Sequence, residues 1–192
     1  MIMTLSGSVP HRHSIRLTGY DYSQAGAYFV TICTYHRQLL FGEIHDGEMH
    51  LNASGRMVSA QWLQLPYRYI DLELGEFVVM PNHIHGILVI TGRGEASLTS
   101  VFAGTDISSE DASLLRPNGT VPGSIGAIIQ NFKSITSRKI NKLSGKSEEP
   151  IWQRNYYEHV IRDEIDYQAI HDYILSNPLN REKDEKNQKQ TL

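Results

Sequence analysis

Apolar residues recur along this chain with a period that changes several times, and each change marks an element. Residues 27–35 (AYFVTICTY) are aromatic and β-branched, which predicts a strand. Two short runs, 39–44 and 48–51, flank Asp46-Gly47, a dipeptide suited to a tight hairpin. Asn52 or Ser54 then offers a helix N-cap. Met57, Val58, Trp62 and Leu65 follow at helical spacing as far as Pro66. The apolar runs 77–80 and 83–90 are separated by Pro81-Asn82, so they are one kinked strand or two strands joined by a tight step. The second run is apolar on both faces, as a central strand would be. A helix is expected from Ser124, its stripe being Ile125, Ile128, Ile129, Phe132, Ile135, Lys139 and Leu143, broken only by Lys139. Residues 152–161 (WQRNYYEHVI) read as a final strand. Asp163, with Asp166 in the N3 place of a capping box, opens a last helix that Pro178 stops near Asn177.

Three stretches lack such periodicity. Residues 1–19 hold no acid but carry His11, Arg12, His13 and Arg16, and read as a basic arm. Residues 91–123 are rich in Gly, Ser and Thr, and are expected to form a long mobile excursion within one domain, residues 20–180. Residues 181–192 are almost wholly polar and are expected to be disordered. Strands and helices interleave, with at least one short hairpin. The fold class is therefore α+β: an antiparallel or mixed sheet covered by helices.

Composition narrows this further. At 192 residues the chain suits one domain with a real core, and 40% hydrophobic residues argue against wholesale disorder. No stretch approaches the roughly 20 apolar residues of a membrane span, and the N-terminal segment lacks the apolar core of a signal peptide. A single cysteine, Cys33, excludes an intramolecular disulfide framework and Cys-rich zinc sites, and is expected to serve as buried packing. A cytoplasmic, membrane-free protein is the expectation. Net charge is −3, from 18 Lys+Arg and 21 Asp+Glu, which at face value speaks against a nucleic-acid partner. That number is a sum over separated blocks. Residues 112–147 contain no acid yet carry Arg116, Lys133, Arg138, Lys139, Lys142 and Lys146, so the helix within them could lay a basic edge along phosphates.

Candidate chemistry begins with His83 and His85, which flank Ile84 inside an apolar strand. Alternation points both imidazoles to one face, where they can reach one metal ion. Two partly buried, hydrogen-bonded histidines explain the pair equally well. The flanks exclude several metal families. Ile87-Leu88 stand where a metallo-β-lactamase-like site would have Asp-His, and position 87 is not the third His of a histidine-triad hydrolase. The next acid, Glu95, lies beyond the strand, unlike a cupin's Glu, and an amidohydrolase barrel needs roughly 250 residues. What survives is a two-His site completed from elsewhere. On the last helix, Asp166, Ile170, Tyr173 and Asn177 share a stripe. Tyr173 offers a phenol and Asn177 a carbonyl oxygen. Read blandly, Tyr173 packs on an amphipathic face and Asn177 caps the helix before Pro178.

Residues 78–89 (VVMPNHIHGILV) resemble the His–hydrophobic–His signature of single-tyrosine HUH transposases, and the chain is most similar to the REP-associated tyrosine transposases. Residues 16–29, 55–66, 131–134 (NFKS), 151–154 (IWQR) and 172–178 (DYILSNP) match in the family's order, covering most of 14–180. The resemblance implies a ferredoxin-like, RRM-like HUH nuclease fold. It implies His83 and His85 as ligands of a divalent metal, Mg or Mn, with Asn177 as a less secure polar ligand. Tyr173 takes the place of the nucleophile that forms a 5′-phosphotyrosine on single-stranded DNA beside hairpin repeats. Tyr156, Tyr157 and Tyr167 are nearby rivals. Arg12, Arg16, Lys133, Arg138, Lys139 and Lys142 are the expected DNA contacts, and monomer and homodimer both stay open. A hairpin-binding protein without strand transfer and a water-using metal phosphodiesterase are the competing readings.

Overall fold

The computed structural model describes residues 21–92, 121–146 and 149–180. The basic arm with Arg12 and Arg16, nearly all of the 91–123 excursion and the polar tail lie outside the described residues. Four strands build the main sheet: β1 (Gly26–Cys33), β4 (Leu72–Met80), β5 (His83–Ile90) and β6 (Tyr157–Ile161). Their order is β4-β5-β1-β6, and every adjacent pair is antiparallel. Strands β2 (Gly42–His45) and β3 (Glu48–Leu51) form a separate hairpin. The helices are α1 (Ala53–Leu63), α2 (Ile125–Ser144) and α3 (Glu164–Ser176). Helix α1 lies between β1 and β4, and α2 between β5 and β6. This is the split βαβ arrangement of a ferredoxin-like sheet, so the expected α+β class is observed.

Local chemistry explains most boundaries. Asp46 and Gly47 take left-handed backbone at the β2–β3 turn. Asn52, not Ser54, caps α1 by accepting from the Gly55 N–H. Ser124 caps α2, and Gly145 ends it with φ 66°. Asp163 caps α3 through the Asp166 N–H. The capping box is incomplete, because the Asp166 carboxylate accepts from His159 Nε2 and the Arg162 N–H instead.

The ambiguous apolar runs resolve as two strands. Met80 pairs with His83, so Pro81-Asn82 is a two-residue turn. Strand β4 also begins five residues earlier than the apolar run suggested, at Leu72, with a register shift between Leu74 and Phe77. In α2 the buried stripe is Ile125, Ile128, Ile129, Phe132, Thr136 and Ile140, which corrects Ile135, Lys139 and Leu143. Thr136 turns inward because its hydroxyl bonds the Phe132 carbonyl and accepts from Trp152 Nε1. The last strand begins at Tyr157, not Trp152. The carbonyls of Gln153 and Arg154 turn instead to Lys133 Nζ, drawing this segment toward α2.

The two sheet faces carry unequal loads. Tyr28, Val30, Ile32, Ile84 and Leu88 pack on α1 and α2 in the larger core, with Val58, Trp62, Ile129 and Phe132. Ala27, Phe29, Ile87, Val89 and Ile161 face α3, where Ile174 is buried among them. Gly86 leaves room for the Trp62 ring of α1. A Cβ there would collide with Trp62 Cζ2, so Gly86→Ala should overpack this face and destabilise the protein by about 1–3 kcal/mol. An unchanged urea midpoint would show that Trp62 can move aside.

Candidate active site

Strand alternation places His83 and His85 on the face covered by α3, and both are fully buried. Their Nε2 atoms are 3.0 Å apart. Nitrogens this close share a proton or aim both lone pairs at one cation. Two ligands each ~2.1 Å from one ion and at right angles would themselves be about 3.0 Å apart. The spacing therefore fits chelation.

Each outer nitrogen is also held. His83 Nδ1 lies 2.7 Å from Asn82 Oδ1, and His85 Nδ1 lies 2.8 Å from Thr31 Oγ1. Register accounts for the second contact, because Thr31 sits opposite His85 in the β1–β5 ladder. A ligating imidazole ordinarily donates its other N–H to such a partner, fixing ring angle and tautomer. Asn82 is anchored in turn. Its Nδ2 donates to the Arg37 carbonyl, and its own carbonyl accepts from the Thr34 N–H and hydroxyl. The Pro81 carbonyl accepts from the Leu40 and Phe41 N–H groups, so segment 34–41 clasps the turn that precedes His83.

Helix α3 brings the phenol. Tyr173 OH is 3.2 Å from His85 Nε2, and Phe29 stacks on His85 while meeting the Tyr173 ring edge-on. Tyr173 is 42% exposed as a residue, and its hydroxyl contact with the buried imidazole is partly buried. Asn177, one turn on, is buried, and its Oδ1 has no hydrogen-bond partner among the described residues. An unsatisfied buried acceptor costs about 1–3 kcal/mol, which a cation or donor would offset. Among the described residues no cluster of three or more His, Cys, Asp or Glu side chains could hold a metal. Among the described residues a further ligand would be an oxygen such as that of Asn177.

The rival tyrosines are placed differently. Tyr156 packs toward the larger core, and Tyr157 sits at the edge of the face covered by α3, edge-on to Phe29. Tyr167 packs beneath α3, where burial, followed by Glu76 and Glu164, raises its phenol pKa and disfavours the phenolate. Asn82 and Thr31 were not singled out by sequence reasoning. Asn82 adjoins the pair, which was a usable signal. Thr31 needed the strand register. Cys33, expected to be buried, is only partly so at the end of β1.

The basic candidates within the described residues lie on α2, away from this face. Arg138, Lys139 and Lys142 are exposed. Lys133 is not a simple surface cation, because its ammonium donates to the Gln153 and Arg154 carbonyls. Burial lowers its pKa to about 8, with nearby Cys33 acting in the opposite sense.

No family model matches the chain. An uncharacterized protein of Haemophilus influenzae is 36% identical over 187 residues, spanning 96% of this chain and 98% of that one. The chain belongs to the family of this Haemophilus protein. A REP-associated tyrosine transposase solved bound to a REP hairpin superposes with a TM-score of 0.51 at 20% identity, covering 84% of this chain and 72% of that one. The chain thus has the fold of a REP-associated tyrosine transposase, in agreement with the resemblance read from its motifs. No helix among the described residues is long and apolar enough to cross a membrane.

Lys133 supplies a pH test of the described geometry. With a pKa near 8 in the fold against an ordinary 10.5, it releases a proton on folding between those values. Stability must then rise with pH across that window, and the penalty is fully present below it. The unfolding free energy of wild type relative to Lys133→Met should climb between pH 8 and 10.5. A flat difference in urea titrations would mean the ammonium is not desolvated.

Proposed function

We propose that the protein is a tyrosine transposase that cleaves and rejoins single-stranded DNA next to hairpin repeats. The observation that carries this reading is the approach of the Tyr173 hydroxyl, 3.2 Å, to His85 Nε2, itself 3.0 Å from His83 Nε2. The Tyr173 phenol meets a pair of imidazole nitrogens, and the buried Asn177 amide oxygen without a hydrogen-bond partner among the described residues lies one turn further along the helix that carries Tyr173. A divalent ion, Mg or Mn, held by His83 and His85 with Asn177 as an oxygen ligand, would act as a Lewis acid on the scissile phosphate.

The protein groups have distinct tasks. Tyr173 Oη forms a bond to phosphorus as the P–O3′ bond breaks. The phenol loses its proton to solvent and the departing oxygen gains one, leaving a 5′-phosphotyrosine and a free 3′-OH. A phosphodiester is exchanged for a phosphodiester, so a 3′-OH can reverse the step and join strands without ATP. An ordinary phenol, pKa near ~10, is only about a thousandth ionised at pH 7, so positioning and local positive charge must assist. Phe29 fixes the Tyr173 ring from one side, and Thr31 and Asn82 hold the imidazoles. DNA would meet α2 through Arg138, Lys139 and Lys142, with Lys133 supporting the neighbouring loop, and Arg12 and Arg16 would contact the sequence beside the hairpin.

Incubating the protein with a hairpin-flanked oligonucleotide and Mn should give a covalent adduct that resists denaturing gels. Tyr173→Phe should abolish it while binding persists. An adduct formed equally by Tyr173→Phe would move the nucleophile elsewhere, and binding without any adduct would favour a hairpin-binding protein. Thr31→Val removes the partner of His85 Nδ1 and should weaken Mn affinity about 10–100-fold. Calorimetry showing wild-type Mn affinity would leave Thr31 with a packing role only.

A further inference from the structure

The 149–156 segment leads from the helical face of the sheet to the start of β6, an outer strand whose partner in the main sheet is β1. Two adjoining cavities of about 500 Å³ each lie between α2 and this segment, sharing Ser134, Ser137 and Pro150. Among the described residues Arg138, Lys142, Lys146 and Arg154 line them, against one acid, Glu149, which pairs with Lys146 at 3.0 Å. The groove is therefore cationic, while the protein as a whole is not. At its β6 end the chain presents two successive tyrosines to opposite faces. Tyr156 lines the groove. Tyr157 stands on the catalytic face, 40% exposed and 6.2 Å edge-on from Phe29. It occupies the same cross-sheet row as His85, since Thr31 pairs with both. Two strand spacings of ~4.8 Å put its backbone about 10 Å from that of His85.

We propose that a single-stranded DNA segment crosses the outer edge of β6, its phosphates held in the α2 groove and a base next to the cleavage point stacked on Tyr157. This rests on the DNA reading above and adds the path of the strand to it. The occupant is single-stranded because every unpaired base along it offers a face to an exposed ring, whereas a duplex offers one only at its end. Phosphodiesters supply the complementary charge.

The test uses the full chain and a fluorescein-labelled oligothymidylate without a hairpin, followed by anisotropy across a salt series. Removing one cation that neutralises a phosphate of a single strand should lower the slope of log K against log salt by about 0.7, so Arg138→Ala with Lys142→Ala should lower it by about 1.4. With one thymine replaced by 5-iodouracil, light should crosslink the strand to Tyr157. Tyr157→Leu, which keeps an apolar side chain against Phe29, should lose the crosslink, and Tyr157→Phe should keep it. Wild-type slopes in the double variant together with an undiminished crosslink in Tyr157→Leu would overturn the path while leaving the DNA reading intact. Failure of wild type to bind at low salt would overturn both.

Discussion

Two imidazoles packed side by side inside a strand are the constraint that shapes the rest of this molecule. His83 and His85 are fully buried, and a buried polar group without a partner costs about 1–3 kcal/mol. Their outer nitrogens must be satisfied from positions that an ordinary β-ladder does not guarantee. Thr31 serves because register sets it opposite His85. Asn82 serves because the β4–β5 turn is only two residues long and cannot swing away. Holding Asn82 requires the chain after β1 to fold back over the turn. There His36 and Arg37 adopt φ of 50° and 55°, conformations that cost non-glycine residues about 1–3 kcal/mol each. Backbone strain in one loop thus maintains the angle of a ring in another.

The pair lies in an asymmetric sandwich. A face covered by one helix buries less apolar surface than a face covered by two. The helical face therefore bears the load, with Trp62, Phe132 and Trp152 packed ring against ring beneath α1 and α2. The opposite face is covered by α3, whose one fully buried side chain is Ile174, while Ile165 and Leu175 are mostly exposed. Tyr167 and Ile170 add partly buried packing, and polar contacts complete the anchoring. Asp166 meets His159 of β6 at 2.8 Å, and His171 meets Glu76 beside the β4 irregularity at 3.5 Å. The nucleophile candidate rides on the least buried helix, and its phenol is steered by Phe29 and His85 more than by a deep core.

What the sequence made legible follows from the range of each interaction. Caps at Asn52, Ser124 and Asp163, the Asp46-Gly47 turn and the His-x-His alternation depend on neighbours within a few residues, and each appears as read. The errors lie where a distant partner overrides the local pattern. Thr136 displaces Ile135 from the buried stripe of α2 because Trp152, far along the chain, donates to its hydroxyl. Residues 152–156 have the composition of a strand, yet Lys133 captures two of their carbonyls and turns them out of the ladder. The candidate site divides the same way. His83, His85 and Tyr173 carried local or family-like signals. Thr31 became visible only with the β1–β5 register, and Phe29, two residues before it on the same face, needed α3 in place.

Charge follows this division of faces. Helix α3 begins with Glu164 and Asp166 and carries Asp172 beside Tyr173, while α2 bears Lys133, Arg138, Lys139 and Lys142 and no acid. A phosphodiester near Tyr173 would meet carboxylates on the helix that supplies the nucleophile. Attraction must then come from the opposite face, from the segments flanking the described core, or from an ion held at the two Nε2 atoms. An acidic helix beside an anionic substrate is unfavourable unless a cation sits between them. The 3.0 Å gap between the imidazole nitrogens and the orphaned Asn177 oxygen are features of this face able to receive one. The net charge of −3 then belongs to neither face: α2 carries cations and no acid, while α3 opens with two carboxylates and carries a third beside Tyr173.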